Sequence, residues 1–227
     1  MGANLGPNIV TNGLVLILDA GNRNSYAGSG TNWYDLSGNA NNCTLTNGPT
    51  FSSTNLGNIS FDGVDDYVDF YAPNLGTTTT IELWCKLGAT SLAMIFGWYI
   101  YDVFCWNGAM GFNTGNSDLY GISSSNVSNL GLVGNWKHYI FEMRSDVSYT
   151  NNKIYINTIP QVLSQQYGSE DAVYRQFNSG NGRISGWRYS ASFFMQMNCA
   201  NFKIYNRALT TSEITQNYNA TKSRFGL

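Results

Sequence analysis

The alternation in residues 80–87 sets what this chain can fold into. Ile81, Leu83, Cys85 and Leu87 interleave with Thr80, Glu82, Trp84 and Lys86. A period of two is the period of a pleated strand, so one face is expected in a core and the other in solvent. Trp136 to Met143 and Lys153 to Ile159 alternate in the same way. Leu14-Val15-Leu16-Ile17-Leu18 is an unbroken apolar run between Gly13 and Gly21. It reads as a short strand covered on both faces. Short runs of this kind, parted by Gly, Asn and Ser, can bury their apolar faces only by pairing strands and stacking sheets.

Further strands are expected around a turn between Met94 and Trp106, near Leu119-Tyr120, at Arg183 to Tyr189 and at Phe193 to Tyr205. Asp62-Gly63, ahead of Val64 to Val68, reads as a hairpin turn. Residues 21–58 are mostly turn-forming, with Trp33-Tyr34 and Phe51 as anchors, and residues 164–182 read as polar loop. Only the end looks helical. Thr210-Thr211-Ser212-Glu213 has the spacing of a capping box, and Leu209 and Ile214 stand where a hydrophobic staple would. The spacing predicts a helix from Thr211 to about Ala220. The organisation expected is an N-terminal arm, residues 1–12, and one all-β domain, residues 13–227, a two-sheet antiparallel sandwich with a short C-terminal helix.

Composition narrows function. Charged residues make up 11% of the 227 residues, against a usual share of roughly 25%, and the net charge is -2. Nucleic-acid binding needs clustered Lys and Arg and is not expected. No run approaches the roughly 20 apolar residues of a membrane-spanning helix. The first residues, Met1 to Pro7, have neither a basic nor an apolar region, so no secretory signal is expected. The cysteines (Cys43, Cys85, Cys105, Cys199) have no Cys-x-x-Cys spacing and His138 is the only histidine, which argues against zinc. Free, buried thiols are expected, with a Cys85–Cys105 pair as the alternative if their strands are neighbours.

Several stretches carry a family likeness in their order: Gly13-Leu-Val-Leu-Ile-Leu-Asp-Ala20, Trp33-Tyr-Asp-Leu-Ser-Gly-Asn39, Ile59-Ser-Phe-Asp-Gly-Val-Asp-Asp-Tyr-Val68, Gly134-Asn-Trp-Lys-His138, Lys153-Ile-Tyr-Ile-Asn157 and Lys203-Ile-Tyr-Asn-Arg-Ala-Leu209. Together they resemble the laminin-G-like branch of the concanavalin-A-like lectin/glucanase superfamily, over roughly residues 9–227. The ending, Tyr205 to Leu227, and the opening, Asn4 to Val10, look most like copies in virion proteins of tailed phages, marine ones in particular. The resemblance implies a concanavalin-A-like jelly-roll sandwich. Residues 194–202 and the Thr-Ile-Pro after Asn157 depart from the family pattern at the loops.

The superfamily includes glucanases, so hydrolysis is tested first. A retaining glycosidase needs two carboxyls about 5–5.5 Å apart, which on one strand would show as Glu-x-Asp. Glu82, Glu142 and Glu170-Asp171 have no such partner, and no nucleophile elbow accompanies His138, which reads as a packed or surface residue. A non-enzymatic protein is expected. Calcium is the cofactor the residue types suit. Asp35-Leu-Ser37-Gly-Asn39-Ala-Asn41 puts oxygens at alternate positions, and Asp62, Asp65 and Asp66 form a second group. The competing reading gives Asp35 and Asn39 to Asx turns and Asp65-Asp66 to a hairpin cap. Trp84, Trp98, Trp106 and Trp187 are candidate platforms for sugar rings, against the competing role of packing the core or an interface.

The function expected is a non-enzymatic phage virion protein, a capsid decoration or fibre subunit that stabilises the particle or mediates adhesion. The alternative is a carbohydrate-binding receptor module of the tail, and a glycan hydrolase comes third. The partners expected are other virion proteins, further copies of the chain and a cell-surface glycan, in a virion assembled in the host cytoplasm. The uncharged arm and unblocked sheet edges point to a homo-oligomer.

Overall fold

In the computed structural model, residues 8–73, 75–88, 91–98, 101–113, 118–169, 177 and 180–227 are described. The strands are β1 (Leu14–Asp19), β2 (Asn32–Trp33), β3 (Cys43–Thr46), β4 (Thr50–Ser52), β5 (Asn58–Asp62), β6 (Tyr67–Tyr71), β7 (Thr78–Leu87), β8 (Leu92–Gly97), β9 (Asp102–Trp106) and β10 (Ala109–Asn113). They continue as β11 (Leu119–Ile122), β12 (Trp136–Arg144), β13 (Lys153–Ile156), β14 (Ile159–Pro160), β15 (Ser164–Tyr167), β16 (Asn181–Ile184) and β17 (Gln196–Tyr205). Helix α1 (Ser124–Asn129) follows β11, and α2 (Thr211–Thr221) follows β17.

The strands form two antiparallel sheets. The first runs β14-β13-β12-β7-β17-β5-β4, with β1 also against β17; the second runs β15-β11-β10-β9-β8-β16-β6-β3-β2. Between them lies the core. Ile81, Leu83, Phe141, Phe202 and Ile204 of the first sheet meet Val68, Phe70, Phe96, Val103 and Phe112 of the second. Rings interlock edge to face, as in Phe96 with Phe141 (5.3 Å) and Phe96 with Phe202 (5.7 Å). Each such side chain, fully buried, contributes about 1.5–3 kcal/mol.

The expected alternation holds, but β7 is not half-buried. Thr80, Glu82 and Trp84, on the face assigned to solvent, are 0% exposed. What covers them is α2, the short 3-10 turn after it and residues 8–12. Trp84 is stacked against Phe225 (4.1 Å) and Tyr218 (5.6 Å), and its indole N–H donates to Thr221 Oγ1 at 2.8 Å. Glu82 takes Lys203 Nζ at 2.6 Å and faces His138 Nε2 at 3.1 Å. Asn217 of α2 donates to Glu82 and to the Tyr205 hydroxyl, and accepts the Val10 N–H. The Tyr205 hydroxyl in turn donates to the Val10 carbonyl.

Residues 8–12 are therefore no loose arm. Val10 is buried with Ile140, Tyr205, Leu209 and Ile214, Gln216 donates to the Asn8 carbonyl, and Arg207 to that of Asn12. Residues 1–7 lie outside the described residues.

Other expectations are corrected. Asp62-Gly63 makes no hairpin, because β5 and β6 lie in different sheets and the turn carries the chain across the sandwich. Helix α1 sits in the Ser- and Asn-rich stretch, capped by Ser123 on the Asn126 N–H; Val127 is its one buried residue, too few to show a period. Cys85 and Cys105 lie in opposite sheets, and Cys85 instead sits opposite Cys199 on β17. All four thiols are free and buried, and burial pushes those of Cys43, Cys105 and Cys199 up to about 12.

A bulge at Ala200 shifts the β17 register between Cys199 and Asn201. It changes the parity, so Met197 and Cys199 before it and Phe202 and Ile204 after it all face the core. Lys203 is left directly opposite Glu82.

The predicted helix forms over Thr211–Thr221 with both halves of the capping box. Thr210→Ala is expected to cost about 0.5–2 kcal/mol, read as a lower denaturation midpoint.

Acid should loosen α2. The Arg207 hydrogen bonds and the Thr210 N–H hold the Glu213 carboxyl at about 2, below its ordinary 4.5. Burial holds His138 below 6.5 despite Glu82 beside it. Both folded values are depressed, so the stability is complete above the unfolded values and is lost as pH falls, below 6.5 for His138 and from 4.5 towards 2 for Glu213. Intrinsic tryptophan fluorescence followed through an acid titration should report this, and Glu213→Gln should reduce the part below pH 4.5 while leaving the share of Glu82, which Lys203 and His138 likewise hold at about 2.

Candidate functional site

The Asp35 loop closes a sheet edge. Asp35 Oδ1 accepts the N–H groups of Ile17 (3.0 Å) and Ser37 (2.9 Å). Its Oδ2 accepts the Ser37 hydroxyl (2.7 Å) and the Asn41 N–H (3.1 Å). The Leu36 N–H donates to the Ile17 carbonyl, and Ser37, Asn39 and Asn41 all donate to the Val15 carbonyl. Side chains thus stand in for a neighbouring strand along β1. Every oxygen that would ligate calcium from Asp35 is committed to N–H or O–H donors, and Asn39 turns its amide N–H₂ inward. The Asx-turn reading holds for Asp35, whose Oδ1 accepts the Ser37 N–H, whereas Asn39 makes no such turn and donates its amide to the β1 edge instead.

Asp62, Asp65 and Asp66 do come together, with carboxylate oxygens within 4.8 Å of one another. Among the described residues this is the group of acids close enough to share a hard cation. The oxygen-only donor set fits calcium, which these three residues would hold. They also brace the crossing turn: Asp66 Oδ2 accepts the Asp62 N–H at 2.9 Å and Asp62 Oδ1 accepts the Val64 N–H at 2.7 Å. Burial, together with the charges of Asp62 and Asp65, raises the Asp66 pKa above its ordinary value, although the Asp62 N–H opposes the rise.

The four tryptophans separate into two pairs. Trp84 lies beneath α2 and Trp98 in the core against Phe70 and Phe177; both are 0% exposed and present no face to a ligand. Packing is their role, set for Trp84 by the covering helix that β7 periodicity does not reveal. Trp106 and Trp187 are only partly buried, on the outer face of the second sheet with Met94, Phe104, Leu119 and Phe193. Trp106 also meets the half-exposed ring of Tyr167 at 5.1 Å.

Beside this apolar patch the same face opens into a groove of about 570 Å³, lined by Asn47, Asp65, Tyr67, Arg183, Arg188, Tyr189 and Phe194 among others. Strand parity explains the lining. On β6, Val68 and Phe70 enter the core, so Tyr67 and Asp69 face outward; on β16, Ile184 enters the core and Arg183 faces outward, directly opposite Asp69. Arg183 grips Asp69 with two bonds (2.7 and 3.2 Å), donates to the Trp187 carbonyl and lies 3.6 Å over the Tyr67 ring centroid. Tyr67 stacks on Phe194 at 6.3 Å.

Aromatic faces with convergent polar groups in a concavity are what a small polar ligand needs. Sequence reasoning missed this set. Its signal was two of the chain's 12 basic residues, Arg183 and Arg188, beside Trp187 and Tyr189.

The carboxylates tested for hydrolysis are engaged elsewhere. Glu82 is buried on Lys203, and Glu142 takes Lys153 Nζ at 3.1 Å. Glu170-Asp171 lies outside the described residues.

No protein-family model matches the chain, and no curated protein matches it in sequence. In three dimensions it is similar to the receptor-binding domain of the botulinum neurotoxin C/D mosaic serotype, with TM-score 0.64 and 12% identity over 92% of this chain and 51% of that one. The ligand-binding domain of botulinum neurotoxin serotype D, solved with N-acetylneuraminic acid, gives 0.64, 12%, 92% and 51%. Trypanosoma rangeli sialidase with sialic acid gives 0.62, 14%, 93% and 33%. The fold is a jelly-roll sandwich. The chain spans about half the length of the neurotoxin domains and a third of the sialidase, and at such identities the likeness is one of architecture.

The two roles weighed for Asp35 predict different behaviour. Asp35→Ala strips acceptors from the Ile17, Ser37 and Asn41 N–H groups, at about 1–3 kcal/mol for each left buried and unpaired. The expected outcome is a lower melting temperature and new self-association by light scattering, with neither restored by calcium.

Proposed function

We propose that this chain is a non-catalytic carbohydrate-binding sandwich carried on a virion, with the groove over Tyr67, Arg183, Arg188 and Tyr189 as its sugar site. The observation that carries the reading is the groove itself: exposed and half-exposed rings standing beside Asn, Asp and Arg side chains on a solvent-facing sheet. Pyranose rings offer apolar faces to aromatics and hydroxyls to such groups. Two of the structurally similar proteins were solved with sialic acids, which supports a glycan as ligand. The virion setting rests on the likeness of residues 205–227 to phage virion proteins, and a cell-surface glycan is the partner it implies.

Capsid decoration is the second reading, favoured by the scarcity of charge that would keep copies apart. The sheet edges temper it. Of the four end strands, β14, β2 and β4 are two or three residues long, β15 is four, and β14 carries Pro160. Short strands and proline are how edges avoid pairing with other chains.

Calorimetric titration with soluble polysaccharides tests the main reading. Binding is expected without release of reducing ends, and Tyr189→Ala should weaken it about threefold to tenfold, the worth of one lost ring contact. Undiminished affinity in Tyr189→Ala, or release of reducing ends, would count against it. Copy number per particle separates the two settings, with many copies arrayed on the capsid for decoration and few at the tail for adhesion.

A further inference from the structure

The charges in the groove are not all matched. Asp69 is the carboxylate between two guanidinium groups, and Arg183 occupies both of its oxygens. Arg188 Nε forms an ion pair with Asp69 Oδ1 at 3.7 Å, too long for a hydrogen bond. That Nε is shut off from solvent with no hydrogen-bond partner, while the Arg188 side chain as a whole is 32% exposed. The guanidinium sits 5.8 Å from the ring of Tyr189, itself 61% exposed. Arg183 is thus fixed by Asp69, Tyr67 and the Trp187 carbonyl, while Arg188 keeps donors to spare.

A carboxylate lines the same groove. Asp65 lines it with its carboxylate near those of Asp62 and Asp66, and Asn47 donates its amide to the Asp65 carbonyl. The groove therefore carries both signs: Arg188, which has no hydrogen-bonded anion, and the Asp65 carboxylate.

Resting on the carbohydrate reading of this groove, we propose that its ligand is an acidic sugar, a uronic or nonulosonic acid unit, whose carboxylate pairs with Arg188. A guanidinium matches a planar carboxylate through paired, charge-assisted bonds that a hydroxyl cannot supply. The ring then lies against Tyr189, and hydroxyls remote from the carboxylate donate to Asp65. A neutral sugar satisfies the Asp65 side and leaves Arg188 under-partnered. A doubly anionic unit meets repulsion at Asp65, so one carboxylate per sugar suits the groove.

The test compares each acid with its own methyl ester, which keeps the ring and removes the charge. Oligomers of galacturonate, glucuronate and N-acetylneuraminate are titrated into the wild-type chain and into Arg188→Gln. Expected is about a tenfold preference of the wild type for an acid over its ester, the worth of one charge-assisted bond. Arg188→Gln, with an unchanged melting temperature, should bind acid and ester alike, at the wild type's affinity for the ester. Rising salt should weaken acid binding in the wild type and leave ester binding unchanged, a readout that needs no variant. Equal wild-type affinity for acid and ester overturns the acidic-sugar inference and leaves the carbohydrate reading standing. A preference that persists in Arg188→Gln overturns the role of Arg188. Failure to bind any acid, ester or neutral polysaccharide overturns the carbohydrate reading, and this inference with it.

Discussion

A buried carboxylate organises the first sheet. Glu82 is 0% exposed in the middle of β7, and a lone charge there would be prohibitively unstable. Lys203 meets it from β17, His138 from β12 and Asn217 from α2. Burial raises its pKa, and Lys203 and His138 more than reverse that, to about 2. Breaking a buried pair by removing one partner costs about 3–5 kcal/mol, because the other charge is left behind. The bulge at Ala200 places Lys203 opposite Glu82, and Asn217 ties the network to Val10. The position of the closing helix thus depends on satisfying this one charge.

Residues of the C-terminal stretch supply much of this closure. Tyr205 bonds Val10, Arg207 pairs with Glu213 at 2.6 Å, Asn217 reaches Glu82, and Arg224 holds Asp19 at 2.9 Å. A helix laid over a charged sheet face needs matched partners at fixed spacings. Those spacings specify a fold. They say little about a ligand, since the groove lies on the other sheet.

Legibility in the sequence followed that division. Strands β7, β12 and β13 were readable from alternation, and α2 from its capping box, because both signals are local. Helix α1 and strand β15, sequence Ser-Gln-Gln-Tyr, lack an apolar face, so no period marked them. Burial of Trp84 depends on residues more than 130 positions away, which local pattern cannot report. The calcium spacing at Asp35 was a true regularity with another cause: alternate side chains reach one strand edge, and a run of alternating oxygens serves that as well as it serves an ion. The groove was hidden because Tyr67, Arg183 and Tyr189 meet only when β6 and β16 pair.

The closure also has a direction. Asn8 and the turn that ends at Leu227 both lie on the outer side of the first sheet, against α2 and Trp84, while the groove opens from the outer side of the second. Attachment through Asn8 or the last turn would therefore come from the side opposite the proposed sugar groove. Copies mounted side by side on a common support would turn their grooves outward together. A surface presenting many sugars could then be held by several weak contacts at once, and such avidity can exceed any single affinity by about 10²–10⁴.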